Sequence, residues 1–139
     1  MIQIIVSLRP VSRYILIIWV LTIITVSSLP SLPTLKIHTA KSDIRLDYFI
    51  HFCEYGFLAF LAFLTFTGKD FILNIGKTIL ITLFLILFAL FDETHQIWIP
   101  GRAFNYRDII GNFTGIIAGV IFCVFVFRKI ATTVRNNPK

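Results

Sequence analysis

Four apolar runs, each long enough to cross a lipid bilayer, constrain this chain more than any other feature. They cover about residues 11–29, 46–66, 71–91 and 108–127. A helix needs about 20 apolar residues to span the hydrocarbon core of a membrane. Only 14% of the residues are charged, whereas soluble domains carry roughly a quarter. The sequence therefore predicts an all-α integral membrane protein, folded as a single domain that forms an antiparallel four-helix transmembrane bundle.

The first apolar run invites comparison with a signal peptide, because Arg9 and Arg13 precede it. The run is longer than the hydrophobic region of a typical signal, and no Ala-x-Ala motif precedes a cleavage point near Ser27 and Ser28. We therefore expect this segment to remain in the protein as a transmembrane helix.

The net charge of +6 does not indicate nucleic-acid binding, because the lysines and arginines flank the apolar runs instead of forming a basic face. With four spans, both termini lie on one side of the membrane. That side collects eight lysines and arginines, and the opposite side collects five. By the positive-inside rule, we expect the termini in the cytoplasm.

An antiparallel arrangement brings the start of the second span, the end of the third and the start of the fourth to the same face. Every carboxylate except Asp70 lies at that face: Asp43, Asp47, Glu54, Asp92, Glu93 and Asp108. Ionisable groups at membrane depth are costly and usually functional. The sequence therefore predicts a polar pocket at this outer face.

The second span carries Asp47, His51 and Tyr55 at intervals of four, which places them on one helical stripe. A carboxylate one turn before a histidine can fix its tautomer and raise its basicity, as a general base requires. The alternative is that Asp47 caps the helix at the interface and that His51 is a polar core residue with satisfied hydrogen bonds.

Asp92 and Gln96 share a stripe at the end of the third span, and Glu93 points about 100 degrees away. Adjacent carboxylates near a low-dielectric boundary repel one another, which suits acid–base chemistry, cation binding or a salt bridge to Arg102. His95 falls off this stripe and is expected at the surface.

Pro100 and Gly101 form a turn that directs Arg102 back towards the bundle, and Arg107 follows. Both arginines could hold a phosphate or carboxylate through two parallel hydrogen bonds. Alternatively, they neutralise nearby acids and are purely structural.

The fourth span begins with Asp108 and Asn112, four residues apart, and we expect both at the mouth of the pocket. Gly111, Gly115 and Gly119 form a small-residue stripe along the same span, which allows another helix to approach closely.

Asp47, His51, Asp92 and Glu93 are suitable ligands for zinc or manganese. No HExxH motif or cysteine pair supports a metal site, so none is predicted, and a divalent metal remains only one option for an unassigned cofactor. The serines at positions 27, 28 and 31 show no spacing typical of a catalytic triad.

Three motifs in this order resemble the VanZ-like family of small bacterial membrane proteins. They are Asp-x3-His-Phe-x2-Tyr from Asp47, Asp-Glu-x2-Gln-x3-Pro-Gly-Arg from Asp92, and Asp-x3-Asn-x2-Gly from Asp108. The resemblance implies a place in the bacterial cytoplasmic membrane and a role in the cell envelope. The family's namesake is associated with low-level resistance to the glycopeptide antibiotic teicoplanin.

Our first hypothesis is an enzyme that processes the phosphate or ester head group of an envelope lipid or lipid-linked precursor. His51, oriented by Asp47, would act as base or nucleophile, and Glu93 or Asp92 as acid. The expected substrate-binding residues are Arg102, Tyr55, Gln96, Asp108, Asn112 and Arg107. The second hypothesis is a protein that binds or shields such a precursor without chemistry. A small transporter subunit, active as a homo-oligomer, is the third.

Overall fold

The computed structural model describes residues 2–30, 36–38, 43–45 and 47–136. Its helices are α1 (Ile2–Leu8), α2 (Ser12–Ser27), α3 (Asp47–Phe66), α4 (Ile75–His95) and α5 (Tyr106–Asn136), and a small antiparallel ribbon pairs β1 (Lys36–His38) with β2 (Asp43–Arg45). Four helical segments are long and apolar enough to span a membrane: Gln3–Ser27, Asp47–Phe66, Ile75–Trp98 and Tyr106–Asn136. The predicted all-α, four-helix transmembrane bundle is confirmed. The connection between the first two spans, over residues 30–46, is expected to lie in water and falls largely outside the described residues.

Helix α4, which forms the third span, begins four residues later than the apolar run suggests. A turn closed by the Phe71 N–H bond to the Gly68 carbonyl, 3.1 Å long, places Phe71 in the left-handed region at φ 55°. Asn74 then caps the helix, because its side-chain oxygen accepts from the Gly76 N–H at 2.9 Å. Phe71 is apolar and buried. Hydrophobicity therefore extended the predicted span over residues that pack in the core without being helical.

Helix α5, which forms the fourth span, continues to Asn136, nine residues past the predicted end at 127. Arg128 and Lys129 mark the edge of the apolar run, but charged residues are good helix formers and do not end a helix. Ile130, one turn further, is fully buried in the core. The helix is therefore longer than the apolar run that would cross the membrane.

The contact between α3 and α5 is a seam of backbone against backbone. A Cβ added at Gly115 would collide with the Phe52 carbonyl oxygen, and one added at Gly119 would lie 2.7 Å from the Gly56 oxygen. At Gly111, an added Cβ would lie 3.1 Å from the His51 Cβ. The three glycines therefore let the two helices approach closely, and this approach positions the first turns of both helices beside each other.

Candidate functional site

A cavity of about 790 Å³ lies at the end of the bundle where α2 and α4 end and where α3 and α5 begin. Its polar lining comes from Ser27, Asp47, His51, Glu54, Asp92, Gln96, Arg102, Asn105, Arg107 and Asp108. Its apolar lining includes Ile23 and Val26 of α2 and Ile50 of α3. The cavity therefore joins ionisable groups from three helices and one loop to apolar side chains, of which Ile23 and Val26 come from a fourth helix. That it is a polar pocket on the outer face of a membrane stays a prediction.

His51 stands between two carboxylates from different helices. Its Nε2 lies 3.8 Å from Oδ2 of Asp108, and its Nδ1 lies 3.9 Å from Oε2 of Glu54. These distances permit ion pairing with a protonated ring but exceed the range of a good hydrogen bond. Among the described residues, the His51 Nδ1 and the Asp108 Oδ1 are buried without a hydrogen-bond partner.

Glu54 is a site residue that the sequence analysis did not single out. It lines the cavity one turn after His51, and its backbone carbonyl accepts a 3.2 Å bond from the Trp19 indole. Its spacing of three residues from His51 was the available signal. Asp47 lines the same cavity, and its predicted orientation of His51 stays a prediction. The carboxylates within 4.0 Å of the His51 ring, in the described part of the chain, belong to Glu54 and Asp108.

Asp92 joins α4 to α3 inside the bundle. The Tyr55 hydroxyl donates to Oδ2 of Asp92 at 2.8 Å, and both side chains are almost completely buried. A buried carboxylate is costly unless it is hydrogen-bonded, and a tyrosine hydroxyl meets part of that requirement. Tyr55 is not part of the cavity lining. Tyr55 therefore contacts Asp92 on the side away from the cavity, while Asp92 itself lines the cavity.

Glu93 ties the loop after α4 back onto the helix. Its Oε1 accepts from the Asn105 backbone N–H at 2.7 Å, and its Oε2 accepts from the Gln96 side-chain amide at 3.4 Å. The Gln96 carbonyl oxygen in turn accepts from Nε of Arg102 at 3.0 Å. The hydrogen bonds therefore connect Arg102 to Glu93 through an amide. Glu93 is fully buried beneath the cavity lining.

Two predicted site residues remain, of which one is buried and the other is exposed. Asn112 is fully buried, and neither atom of its side-chain amide has a hydrogen-bond partner within the described ranges. Arg107 lies at the exposed rim, where its guanidinium donates to Tyr48 at 3.4 Å and to Tyr106 at 3.2 Å. The structure thus gathers Arg107 into the cavity lining and leaves Asn112 beneath it.

His95 is not at the surface, and that expectation was wrong. Its Nδ1 lies 2.7 Å from the Asp92 backbone carbonyl, its Nε2 lies 3.1 Å from Oγ of Ser28, and its ring stacks on Phe91. Helical spacing placed His95 off the stripe of Asp92 and Gln96, yet its ring contacts Asp92 three residues earlier. It could not reveal that α2 ends against this side of α4.

The described residues contain no group of three or more His, Cys, Asp or Glu side chains with the geometry of a metal site. The carboxylates around His51 come from helices that the glycine seam holds at fixed positions. Asp92 and Glu93 are directed to different hydrogen-bond partners. The site therefore offers no preformed set of ligands for the divalent metal considered from the sequence.

One protein family matches the part of the chain that forms the cavity. The family model described as VanZ/LLP1 matches residues 6–128, which include every residue that lines the cavity. No curated protein and no solved structure matches the chain. The family match extends over far more than half of the sequence, and the chain belongs to the VanZ/LLP1 family.

Proposed function

We propose that this protein processes the phosphate or ester head group of an envelope lipid, or of a lipid-linked precursor, at the outer face of the bacterial cytoplasmic membrane. One observation carries the proposal: a single cavity has ionisable groups on several sides and an apolar wall from α2. An amphiphile needs both surfaces, because its head group requires polar partners and its chains require apolar contact. The position of the cavity at the ends of spanning helices suits a lipid that enters from the bilayer.

The charges in the lining favour a particular kind of head group. Four carboxylates line the cavity, from Asp47, Glu54, Asp92 and Asp108, but only two guanidinium groups, from Arg102 and Arg107. A head group that carries only negative charge would be repelled by the carboxylates. A zwitterionic head group could place its phosphate near the arginines and its positive group near the acids. We therefore propose zwitterionic lipids as the preferred class.

Arg102 is the residue best placed to bind a phosphate. Its guanidinium has five N–H donors, and its two hydrogen bonds to Gln96 leave three for a ligand. Gln96 also fixes the orientation of the guanidinium, so less side-chain entropy is lost when an anion binds.

His51 is the proposed proton-transfer group. Glu54 and Asp108 lie close enough to stabilise the imidazolium formed when the ring accepts a proton. Their distances of 3.9 and 3.8 Å also mean that neither carboxylate forms a short hydrogen bond to the ring. In this proposal Glu54 and Asp108 support His51, whereas Glu93 holds the loop that carries Arg102.

A second candidate is a protein that binds or shields a lipid-linked precursor without altering it. This alternative is favoured by the hydrogen bonds around Asp92 and Glu93, which join protein groups to one another and would stiffen a binding cavity without serving catalysis. Either activity would account for low-level glycopeptide resistance if its ligand is the lipid-linked precursor that such antibiotics recognise.

The test uses purified full-length protein in nanodiscs of zwitterionic or anionic phospholipid, with lipid breakdown followed by mass spectrometry. We expect product from the zwitterionic lipid, and His51→Asn should lose turnover while retaining lipid binding. Asp108→Asn should slow turnover, whereas the matched control Asp70→Asn, an exposed acid at the other end of the bundle, should not. Binding without turnover for every lipid would favour the second candidate. Loss of folding in Arg102→Ala would make the arginine purely structural.

A further inference from the structure

A serine, a histidine and an aspartate meet where the end of α2 packs against the end of α4. Oγ of Ser28, just after α2, lies 3.1 Å from Nε2 of His95, near the end of α4. Nδ1 of the same ring lies 2.7 Å from the Asp92 backbone carbonyl and 3.9 Å from the Asp92 carboxylate oxygen Oδ1. Ser28 and His95 lie 67 positions apart in the chain, so the fold brings them together.

The carbonyl bond determines which nitrogen of the neutral ring carries the proton. A carbonyl oxygen can only accept, so Nδ1 must donate to it and Nε2 must be the acceptor. The hydroxyl of Ser28 then donates to Nε2. This is the orientation in which a histidine can remove the proton from a serine nucleophile.

Asp92 supplies the third member of the group. Its Oδ2 accepts from Tyr55, and its Oδ1 is buried with no hydrogen-bond partner among the residues described. A carboxylate at this distance would stabilise the imidazolium that forms when Nε2 takes a proton. The order serine, histidine and acid is that of a nucleophilic triad, although the carbonyl oxygen is here the closer partner of Nδ1.

The hydrogen bond of the Ser28 hydroxyl differs from those of the hydroxyl residues near the end of α2. Ser27 donates to Ile24, and Thr22 and Thr25 donate to carbonyls one turn earlier. Such local bonds are the usual arrangement for hydroxyl side chains in helices. Ser28 instead reaches a ring nitrogen of another helix, which is the partner that a nucleophile requires.

We propose that Ser28, activated by His95, is a nucleophile for the acyl ester of a lipid whose head group occupies the cavity. The pair adjoins that cavity, because Ser27 and Gln96, the sequence neighbours of its two members, both line it. Ile23 and Val26 form the apolar wall on the same side, where acyl chains would lie. The choice of substrate rests on the proposed function: His51 keeps the proton transfer at the head group, and Ser28 with His95 cleaves the acyl ester.

In the first step, Oγ of Ser28 bonds to the ester carbonyl carbon, and its proton passes to Nε2 of His95. The bond from the carbonyl carbon to the alcohol oxygen then breaks, and Nε2 returns the proton to that oxygen. In the second step a water molecule attacks the acyl-serine and gives its proton to Nε2. The carbon–Oγ bond breaks, Oγ takes the proton, and a carboxylic acid is released. The balance is one ester and one water converted to one acid and one alcohol.

A fluorophosphonate with a long alkyl chain tests the proposal, because it bonds covalently to activated serines and needs no knowledge of the lipid. The full-length protein in nanodiscs is incubated with the probe, and the modified residue is located by mass spectrometry of peptides. We expect modification at Ser28, none there in Ser28→Ala, and an unchanged rate in the matched control Thr25→Ala, whose exposed hydroxyl donates to the Leu21 carbonyl. His95→Asn should lower the rate by about 100-fold, the lower end of the usual contribution of a general base.

An unmodified Ser28 in the wild-type protein, or equal labelling of wild type and Ser28→Ala, would overturn the proposal. The wild-type peptide map decides the question even if His95→Asn does not fold. The result is also separable from the proposed function. Labelling of Ser28 in a protein that neither binds nor alters any lipid would contradict the proposed function alone. Lipid turnover with an unlabelled Ser28 would contradict this inference alone.

Discussion

Two groups of polar side chains lie side by side at the same end of the bundle and differ in their hydrogen bonding. The anchored cluster consists of Tyr55, Asp92, Glu93, Gln96 and Arg102. The open cluster consists of His51, Asp108 and Asn112. Direct hydrogen bonds connect members of the anchored cluster to one another and to the Asn105 backbone. Every member of the open cluster has at least one buried polar atom without a partner in the described structure, whereas in the anchored cluster this holds for Oδ1 of Asp92 alone.

The difference follows from where the two clusters sit in the chain. Four of the five anchored residues belong to the end of α4 and the loop after it, and a loop can adjust until its polar groups are paired. The open residues lie on α3 and α5, whose separation is set by the contact of Gly115 with the backbone of α3. Unpaired buried polar atoms cost free energy, so their retention points to a water molecule or a ligand. The comparison therefore separates a largely paired network, which supports the site, from one whose members all keep an unpaired polar atom.

Glu93→Ala should have the largest effect, because it removes the acceptor of both the Asn105 N–H and the Gln96 amide. We expect a loss of about 3 kcal/mol in the free energy of unfolding, since buried groups are left unpaired. Unfolding by denaturing detergent, followed by circular dichroism, measures it. Glu93→Gln, which keeps the size of the side chain, should lose less. A loss below 1 kcal/mol in Glu93→Ala would mean that the anchored cluster does not support the fold.

Gly115→Ala tests the seam that keeps the open cluster from rearranging. The added methyl group collides with the Phe52 carbonyl, and overpacking of this kind costs about 2 kcal/mol. The control Gly76→Ala, in the exposed first turn of α4, should change the unfolding free energy by less than about 1 kcal/mol. Equal effects of the two substitutions in the same unfolding assay would contradict the close helix contact.

Tyr55→Phe removes one hydrogen bond from the anchored cluster without removing volume. The Oδ2 of Asp92 loses its 2.8 Å bond inside the bundle, and we expect a loss of about 1.5 kcal/mol. The apparent melting temperature in detergent should fall accordingly. The control Tyr14→Phe, on the exposed face of α2, should leave it unchanged. A Tyr55→Phe protein as stable as wild type would show that Asp92 does not depend on Tyr55.

Asn112→Leu should have the smallest effect on stability, and the sign of that effect distinguishes it from the other substitutions. Replacing an unpaired buried amide with an apolar group of similar size is close to neutral or stabilising. We expect the melting temperature to stay the same or rise, while lipid turnover falls. A destabilisation of more than about 1 kcal/mol would show that the amide is hydrogen-bonded, for example to a buried water molecule, and would remove Asn112 from the open cluster.

The predictions from sequence succeeded where a local pattern reports a local property. Apolar runs of hydrocarbon length predicted the spanning helices, and antiparallel order placed Asp47, Asp92 and Asp108 at one end, where all three line the cavity. Pattern reasoning was weaker at helix ends. It extended the third span across the turn at Phe71 and ended the fourth at Arg128, because hydrophobicity reports burial and not backbone conformation.

The contacts inside the site were beyond the reach of spacing. Residues four apart were expected to act together, yet Tyr55 bonds to Asp92 of another helix, and Arg102 reaches Glu93 through Gln96. The pairing of Ser28 with His95 had no sequence signal, since it depends on where α2 ends relative to α4. Helical periodicity describes the face that a residue occupies, whereas the partner on that face depends on the packing of the helices.

By itself, the sequence determined the medium and the architecture of this protein. Lipid excludes unpaired backbone groups, so apolar runs of this length must be helices, and their number places the ionisable residues at one end. Only the tertiary structure decided which of those residues are hydrogen-bonded to each other and which keep unpaired buried atoms. The physical reason is that a hydrogen bond requires positions accurate to a few tenths of an ångström. In this bundle the glycine seam between α3 and α5 and the loop after α4 set those positions.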